Sequence, residues 1–315
     1  ILVKIGISAV SAEGARENLD KEIPGWNFEA VRTKAKNVWN KALQKIKVTG
    51  GTEEQKIIFY SALYHSMLAP DLYSDVDGKY RGTDLQVHTA NNYNHYTVFS
   101  LWDTYRATHP LFTIIERDRT RDFLQTFLSQ YEHGGQLPVW ELAANYTGCM
   151  IGYHSIPVIV DAYMKGINDF DTEIMLEAML ASAEKPHLGI DHYIEKGYIP
   201  SGMEGESVSK TLEYAYDDWC IAQYAKAIGN DTVYKKYIRR AQHYKNIFDK
   251  ETGFMRGKNN DTWVTPFDPK EVNFNYTEAN GWQYNFYVPQ DVNTLIDLYG
   301  GNENFIIKLD KMFTE

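Results

Sequence analysis

The chain has 315 residues, enough to bury the core of one large or two ordinary domains. A formal charge of -10, with lysines and arginines scattered along the sequence, leaves no basic patch to neutralise phosphates and excludes nucleic acid as a partner. No apolar run approaches the roughly 18 to 20 residues that span a bilayer, so no membrane span is expected; the mean hydropathy of -0.45 agrees.

In chain order, Leu2 to Val10 are rich in Ile and Val and alternate weakly, which predicts a strand. The chain opens ILVKIG, without an initiator Met or a signal peptide, so a piece of a longer or processed protein is expected. Pro24 and Gly25 break the chain before Asn27, a predicted N-cap for a helix with Phe28, Val31, Val38 and Trp39 on one face. Gly50 and Gly51 end that helix, and Thr52 with Gln55 forms a capping-box pattern for the next, stopped by Pro70. From Asp71 to Asn94 the composition turns to Asp, Gly, Tyr and Asn. Asp77-Gly78 predicts a hairpin turn, and Asp75, Asp77 and Asp84 read either as a surface hairpin or as calcium ligands without the spacing of an EF-hand loop.

Helical spacing returns over Phe99 to Ile115 and Asp118 to Tyr131, and again into a helix ending near Met164 with Gly166 as its stop. Further helices are predicted over Asp171 to Glu184, Gly205 to Ile228 and Asp231 to Phe248, the last two joined by Gly229 and Asn230 as a tight antiparallel turn. A short strand at Gly253 to Arg256 precedes two helices, Gln290 to Tyr299 and Glu303 to Phe313. Cys149 and Cys220, the two cysteines, read as buried thiols. Recurring helix pairs followed by polar, aromatic loops imply an α/α toroid with functional loops at one rim.

Five loop clusters combine acids, aromatics and histidines. In NYTEANGWQYNFYVPQD, Asn275 to Asp291, Glu278 stands among Tyr276, Trp282, Tyr284 and Tyr287. A carboxyl held against such rings loses water and gains a raised pKa, as a general acid requires; an aromatic core loop carrying a solvated Glu is the alternative. In SLWDTYRATHP, Asp103 could cap a helix start, pair with Arg106, or accept hydrogen bonds from sugar hydroxyls while Trp102 packs on the ring face. In TLEYAYDDWC, Glu213 and Asp217 stand one turn apart, with Asp218 on the adjacent face. Such acids repel unless a ligand, an ion or a neighbouring Arg or Lys meets them. His154 fits either a ligand hydroxyl or a satisfied helix start. No HExxH, GxSxG, GxxxxGK[ST] or GxGxxG pattern is present, which leaves zinc hydrolysis, serine nucleophiles and nucleotide binding without local support.

The segments FYSALYHSML, FSLWDTYRATHPL, ELAANYTGCMIGYHSIPVIVDAYMKG, SKTLEYAYDDWCIAQYAKAIG and TEANGWQYNFYVPQD, with the opening IGISAVSAEGARENLDKEIPGWNF, resemble the calcium-dependent exo-α-mannosidases of glycoside hydrolase family 92. The resemblance implies a mainly α fold: an (α/α)6 toroid, incomplete at the C-terminus, over residues 27–315, with residues 1–26 a strand or linker from a preceding β-sandwich. It implies an inverting exo-α-mannosidase acting on terminal mannose of glycans, with Glu278 as general acid. It places Trp102 and Asp103 in the sugar subsite and carries His154, Asp217, Asp218, Trp282 and Gln283 as further substrate-binding positions. Ca2+ is implied as cofactor with no ligand assigned, other segments of a full-length protein as partners, and a periplasmic or secreted location.

One departure bears on activity. The family's base lies in a DDxGQMSAW-like segment that this sequence lacks, and an inverting pair stands roughly 6.5–9.5 Å apart across a water. Since acid or base assistance is worth about 10² to 10⁴ in rate, these residues alone are expected to be nearly inactive. Competing readings are another α/α-toroid carbohydrate enzyme, such as a trehalase-like hydrolase or a polysaccharide lyase, and a non-catalytic glycan-binding protein.

Overall fold

The computed structural model describes residues 1–314; Glu315, the last residue of the expected toroid segment, lies outside them. The chain is mainly helical, with short two- and three-stranded sheets. It divides into two units, one of residues 1–149 and 161–171, the other of residues 150–160 and 172–315. Helices pack in sequential pairs within each unit, as short connections between amphipathic helices favour. No helix among the described residues is long and apolar enough to cross a membrane.

The first unit opens with an extended segment that pairs with no strand, correcting the strand expected at Leu2 to Val10. Its backbone instead lies against α1 (Ala12–Glu22), where Asn18 Nδ2 donates to the Ile7 carbonyl at 2.9 Å. Ile5 and Ile7 remain exposed. α2 (Phe28–Leu43) and α3 (Glu53–Ser66) carry the expected caps: Asn27 accepts from Ala30 N–H, and Thr52 and Gln55 form a full capping box. Trp39 and Tyr64 join the two helices edge-on at 4.6 Å, while Phe28 and Val38 on the expected apolar face stay exposed.

β1 (Asp71–Leu72) pairs with β4 (Tyr96–Thr97), and β2 (Lys79–Arg81) with β3 (Val87–Thr89), all antiparallel. The hairpin therefore turns within residues 82–86. Asp77-Gly78 forms a separate turn before β2, in which Gly78 N–H donates to the Asp75 carbonyl. The three aspartates are not a calcium loop: Asp75 accepts from Ser8 and Asn18, Asp77 pairs with Lys79, and Asp84 with His88.

The helix expected over Phe99 to Ile115 is broken into β5 (Phe99–Ser100), α4 (Leu101–Thr104) and α5 (Thr108–Ile115), because Ala107 leaves helical dihedrals and Pro110 is tolerated only in a first turn. α6 (Arg117–Gly134) ends at Gly135, whose φ of 74° is the left-handed cap that glycine adopts without penalty. β5 pairs with β6 (Trp140–Leu142), and β6 with β7 (Asn145–Tyr146). Phe99, Phe112, Phe123 and Phe127 form this unit's aromatic core. Cys149 is exposed in the following loop, against expectation, whereas Cys220 is buried.

The second unit holds the start of α7 (Ser155–Met164), then α8 (Thr172–Glu184), α9 (Ile190–Lys196), α10 (Ser207–Ala227) and α11 (Asp231–Arg240). Asn230 caps α11 by accepting from Val233 N–H, as expected. A 3-10 turn at His243–Ile247 replaces the predicted end of that helix. β8 (Phe248–Asp249) pairs with β9 (Phe254–Met255), and β10 (Lys258–Asn259) with β11 (Thr262–Trp263). α12 (Gly281–Tyr284), α13 (Val292–Leu298) and α14 (Asn302–Thr314) complete the described chain. The core of this unit joins Leu212 and Ala215 of α10 to Met255, Tyr276, Ala279, Tyr284 and Leu295.

Candidate active site

Glu278 occupies a turn in the second unit with φ at 49°, left-handed backbone that costs an L-residue roughly 1–2 kcal/mol. Its neighbours hold it there. Tyr276 is buried and donates its hydroxyl to the Met255 carbonyl at 2.8 Å, and Thr277 N–H donates to Ser209 Oγ of α10 at 2.9 Å. Ala279 packs into the core, and Asn280 then starts α12 through a capping box with Gln283. With residues on both sides anchored inward, the Glu278 side chain is exposed. The expectation that surrounding rings strip its water is thus corrected: Tyr276 and Tyr284 pack inward while the carboxylate faces out.

The two nearby positions carried by resemblance have structural partners. Gln283 Oε1 accepts the Asn280 N–H at 3.0 Å and so serves the cap. Trp282 is half-buried, edge-on to Phe254 at 4.8 Å, with the Lys308 ammonium 4.8 Å from its ring.

His154, Asp217 and Asp218 come together in the same unit, wholly buried, with Glu213 as a fourth member that the sequence pattern had paired with Asp217. His154 Nδ1 lies 2.8 Å from Asp217 Oδ1 and its Nε2 2.8 Å from Glu213 Oε2, all three side chains at 0% exposure. Asp217 also accepts the Tyr153 N–H at 2.8 Å, and Glu213 accepts the Tyr284 hydroxyl at 3.2 Å. Asp218 meets Arg240 Nε at 2.8 Å and accepts from the hydroxyls of Tyr153 and Tyr193. Arg240, from α11, is the neighbouring-helix cation that an acidic turn on α10 requires. His154, Asp217 and Asp218 thus sit in a buried network in which each meets protein groups.

Electrostatics follow from that burial. Desolvation pulls the His154 imidazole down, yet Asp217 and Glu213 together outweigh it and push its pKa up to about 9, so it is cationic at neutral pH. Burial raises Asp218 to about 6 against the pull of Arg240 and the two tyrosines. Asp217 is likewise raised by burial, with His154 opposing.

In the first unit, Asp103 is exposed at the first turn of α4 and takes a 2.5 Å hydrogen bond from Ser100 Oγ at Oδ2, which orients the carboxylate. Leu101 is buried and its N–H donates to the Val139 carbonyl, fixing the turn on which Trp102 and Asp103 stand. Trp102 is half-buried, with the Arg106 guanidinium 5.9 Å from its ring. Sequence reasoning missed Glu141 of β6, which is buried and accepts from Thr97 Oγ1 and from Ala144 N–H, a role visible only once β6 is placed beside β5.

Among the described residues no group of three or more His, Cys, Asp or Glu side chains could hold a metal ion. The calcium implied by resemblance does not fit the acidic side chains among the described residues.

Residues 14–315 match the glycosyl hydrolase family 92 catalytic domain. A family GH92 α-mannosidase of Bacteroides thetaiotaomicron, solved in complex with mannoimidazole, is 41% identical and superposes with a TM-score of 0.93 over 98% of this chain and 42% of its own. A family GH92 inverting mannosidase of the same organism is 35% identical, with a TM-score of 0.92 over 96% of this chain and 42% of its own. An uncharacterized secreted glycosidase of Arthroderma benhamiae is 28% identical over 98% of this chain. The chain spans 41% of that relative's length. These superpositions give the chain the α/α fold of those catalytic domains, the class its helix pairs implied. From residue 14 onward, in sequence and in fold, this chain belongs to glycosyl hydrolase family 92.

Proposed function

We propose that this chain carries the proton-donating part of an inverting exo-α-mannosidase acting on terminal mannose of glycans, with Glu278 as general acid. The observation that supports this most is the turn at Glu278: a left-handed, non-glycine residue held between buried neighbours, with an exposed carboxylate. Such backbone persists only where surrounding packing over-determines it; ten other described non-glycine residues share it, and what sets Glu278 apart is the exposed carboxylate held between buried neighbours. The mannoimidazole complex and the inverting mannosidase among the matched structures agree with the substrate and the stereochemistry.

In this reading Glu278 protonates the leaving glycosidic oxygen, and a second carboxylate activates water from the opposite face. We place that second carboxylate outside these residues, because the sequence holds no DDxGQMSAW-like segment. For the first unit we propose that Asp103 accepts hydrogen bonds from sugar hydroxyls and Trp102 packs on an apolar ring face. Residues 1–26 are proposed as a linker to a preceding domain, and calcium as a cofactor whose ligands come from other parts of the protein. The relative described as secreted supports a periplasmic or secreted location.

The test is Glu278→Gln in the full-length protein, assayed on an activated aryl mannoside and on a mannose disaccharide. Loss of an acid slows the disaccharide by about 10² to 10⁴ and spares the aryl substrate, whose leaving group needs no proton. Equal effects on both substrates would remove Glu278 from the acid role. Sugar binding without turnover in the wild-type full-length protein would favour the glycan-binding reading.

A further inference from the structure

We infer that His154 and Tyr284 are positioning residues for Glu278, acting through Glu213 of α10 to fix the turn that presents the carboxylate. The inference rests on the proposed acid role of Glu278.

Ser209, Glu213 and Asp217 recur every fourth residue on α10 and so lie along one face. Ser209 holds the chain one residue before Glu278, by accepting the Thr277 N–H at 2.9 Å. Glu213 holds it six residues after, by accepting the Tyr284 hydroxyl at 3.2 Å. The same face of one long helix thus fixes both ends of the turn. α12 has four residues and cannot hold itself by helical hydrogen bonds alone. The Asn280–Gln283 capping box starts α12, and the Tyr284 bond anchors its far end, so that the two together set how the chain leaves Glu278.

Glu213 can play this part only while its carboxylate keeps its place, and it is wholly buried away from solvent. It shares one face of α10 with Asp217, and both are fully buried. His154 lies between them, 2.8 Å from each, and supplies the positive charge that lets two carboxylates occupy successive turns. Gly152 is part of that seat: at φ 78°, a Cβ there would fall 2.3 Å from His154 Nε2. The order of dependence runs from Gly152 and Tyr153 to His154, to Glu213, to Tyr284, and so to Glu278.

The experiment compares Tyr284→Phe, His154→Gln and Glu278→Gln in the full-length protein on the two substrates above, with kcat and KM separated. Tyr284→Phe removes one hydroxyl and keeps the ring in the core. The expected result is a kcat about ten- to a hundredfold lower on the disaccharide, a share of what a general acid supplies, with KM and aryl-mannoside turnover within about threefold of wild type. His154→Gln should show the same selectivity for the poor leaving group, with a larger loss. If it does not fold, Tyr284→Phe decides alone. A Tyr284→Phe enzyme that matches wild type, or that slows both substrates equally, overturns the inference while a selective Glu278→Gln loss leaves the acid role standing. A Glu278→Gln enzyme without leaving-group selectivity overturns both.

Discussion

Ser209 and Glu213, one turn apart on α10, hold the chain on either side of Glu278, the first through the Thr277 N–H and the second through the Tyr284 hydroxyl. Ser209→Ala leaves a buried N–H unsatisfied and is expected to cost about 1–3 kcal/mol, read from the denaturation midpoint at unchanged slope. A cost indistinguishable from zero would mean that Thr277 finds another acceptor.

The backbone at Glu278 makes a separate claim on stability. Glu278→Gly removes the left-handed penalty and is expected to leave the protein as stable or up to about 1 kcal/mol more so, since the more flexible unfolded chain offsets part of the gain. Glu278→Val, β-branched, is expected to lower the melting temperature. Stability gained together with activity lost is the signature of a residue kept for function.

His154 ties stability to pH. Its folded pKa, about 9, stands above the ordinary 6.5, so its contribution is fully present below 6.5 and is lost as pH rises through about 9. Breaking a buried ion pair costs on the order of 3–5 kcal/mol. The deficit of His154→Gln relative to wild type is therefore expected to be largest near about pH 6 and to shrink towards about pH 10. Paired melting curves across that range test it, and a pH-independent deficit would count against a charged imidazole.

Asp249 and Arg256 lock the β8–β9 hairpin, their charged atoms 2.8 Å apart and both side chains buried. Burial raises the Asp249 carboxyl, but Thr252, Arg256 and the Glu251 N–H outweigh it and hold it below 3.8. That stabilisation is present above 3.8 and is lost as pH falls through the folded value. Arg256→Met, which also releases the Val264 carbonyl, is expected to cost on the order of 3–5 kcal/mol at neutral pH by chemical denaturation.

For the proposed sugar contact, Asp103→Ala in the full-length protein is expected to weaken substrate binding by about ten- to a hundredfold, the worth of a hydrogen bond to a charged group at about 1.5–3 kcal/mol. Melting temperature should hardly move, because the side chain is exposed. A KM equal to that of wild type would return Asp103 to a purely local partnership with Ser100.

Local chemistry was legible in the sequence wherever a few consecutive residues settle the outcome. Asn27, Thr52 with Gln55, and Asn230 cap the helices they were expected to cap, because a cap is a bond across three residues. The order of the helices followed from spacing in the same way, while the family was legible only as a resemblance of whole segments. The short segments after Pro70 were less legible: the hairpin turn moved from Asp77-Gly78 to residues 82–86, since register is chosen by the partner strand and not by the turn dipeptide alone.

Burial and charge pairing belonged to the tertiary structure. Leu2 to Val10 has strand composition but no strand beside it, and backbone donors pair only with what lies within reach. His154 and Asp217 are 63 positions apart in sequence, and nothing local to either decides whether they meet a sugar, an ion or each other. Only packing α10 against the N-terminal turn of α7 and against α12 excluded water from Glu213, His154 and Asp217 and left Glu278 outside. Sequence named the carboxylates; long-range packing decided that Glu213, Asp217 and Asp218 are buried in ion pairs and that Asp103 and Glu278 face out.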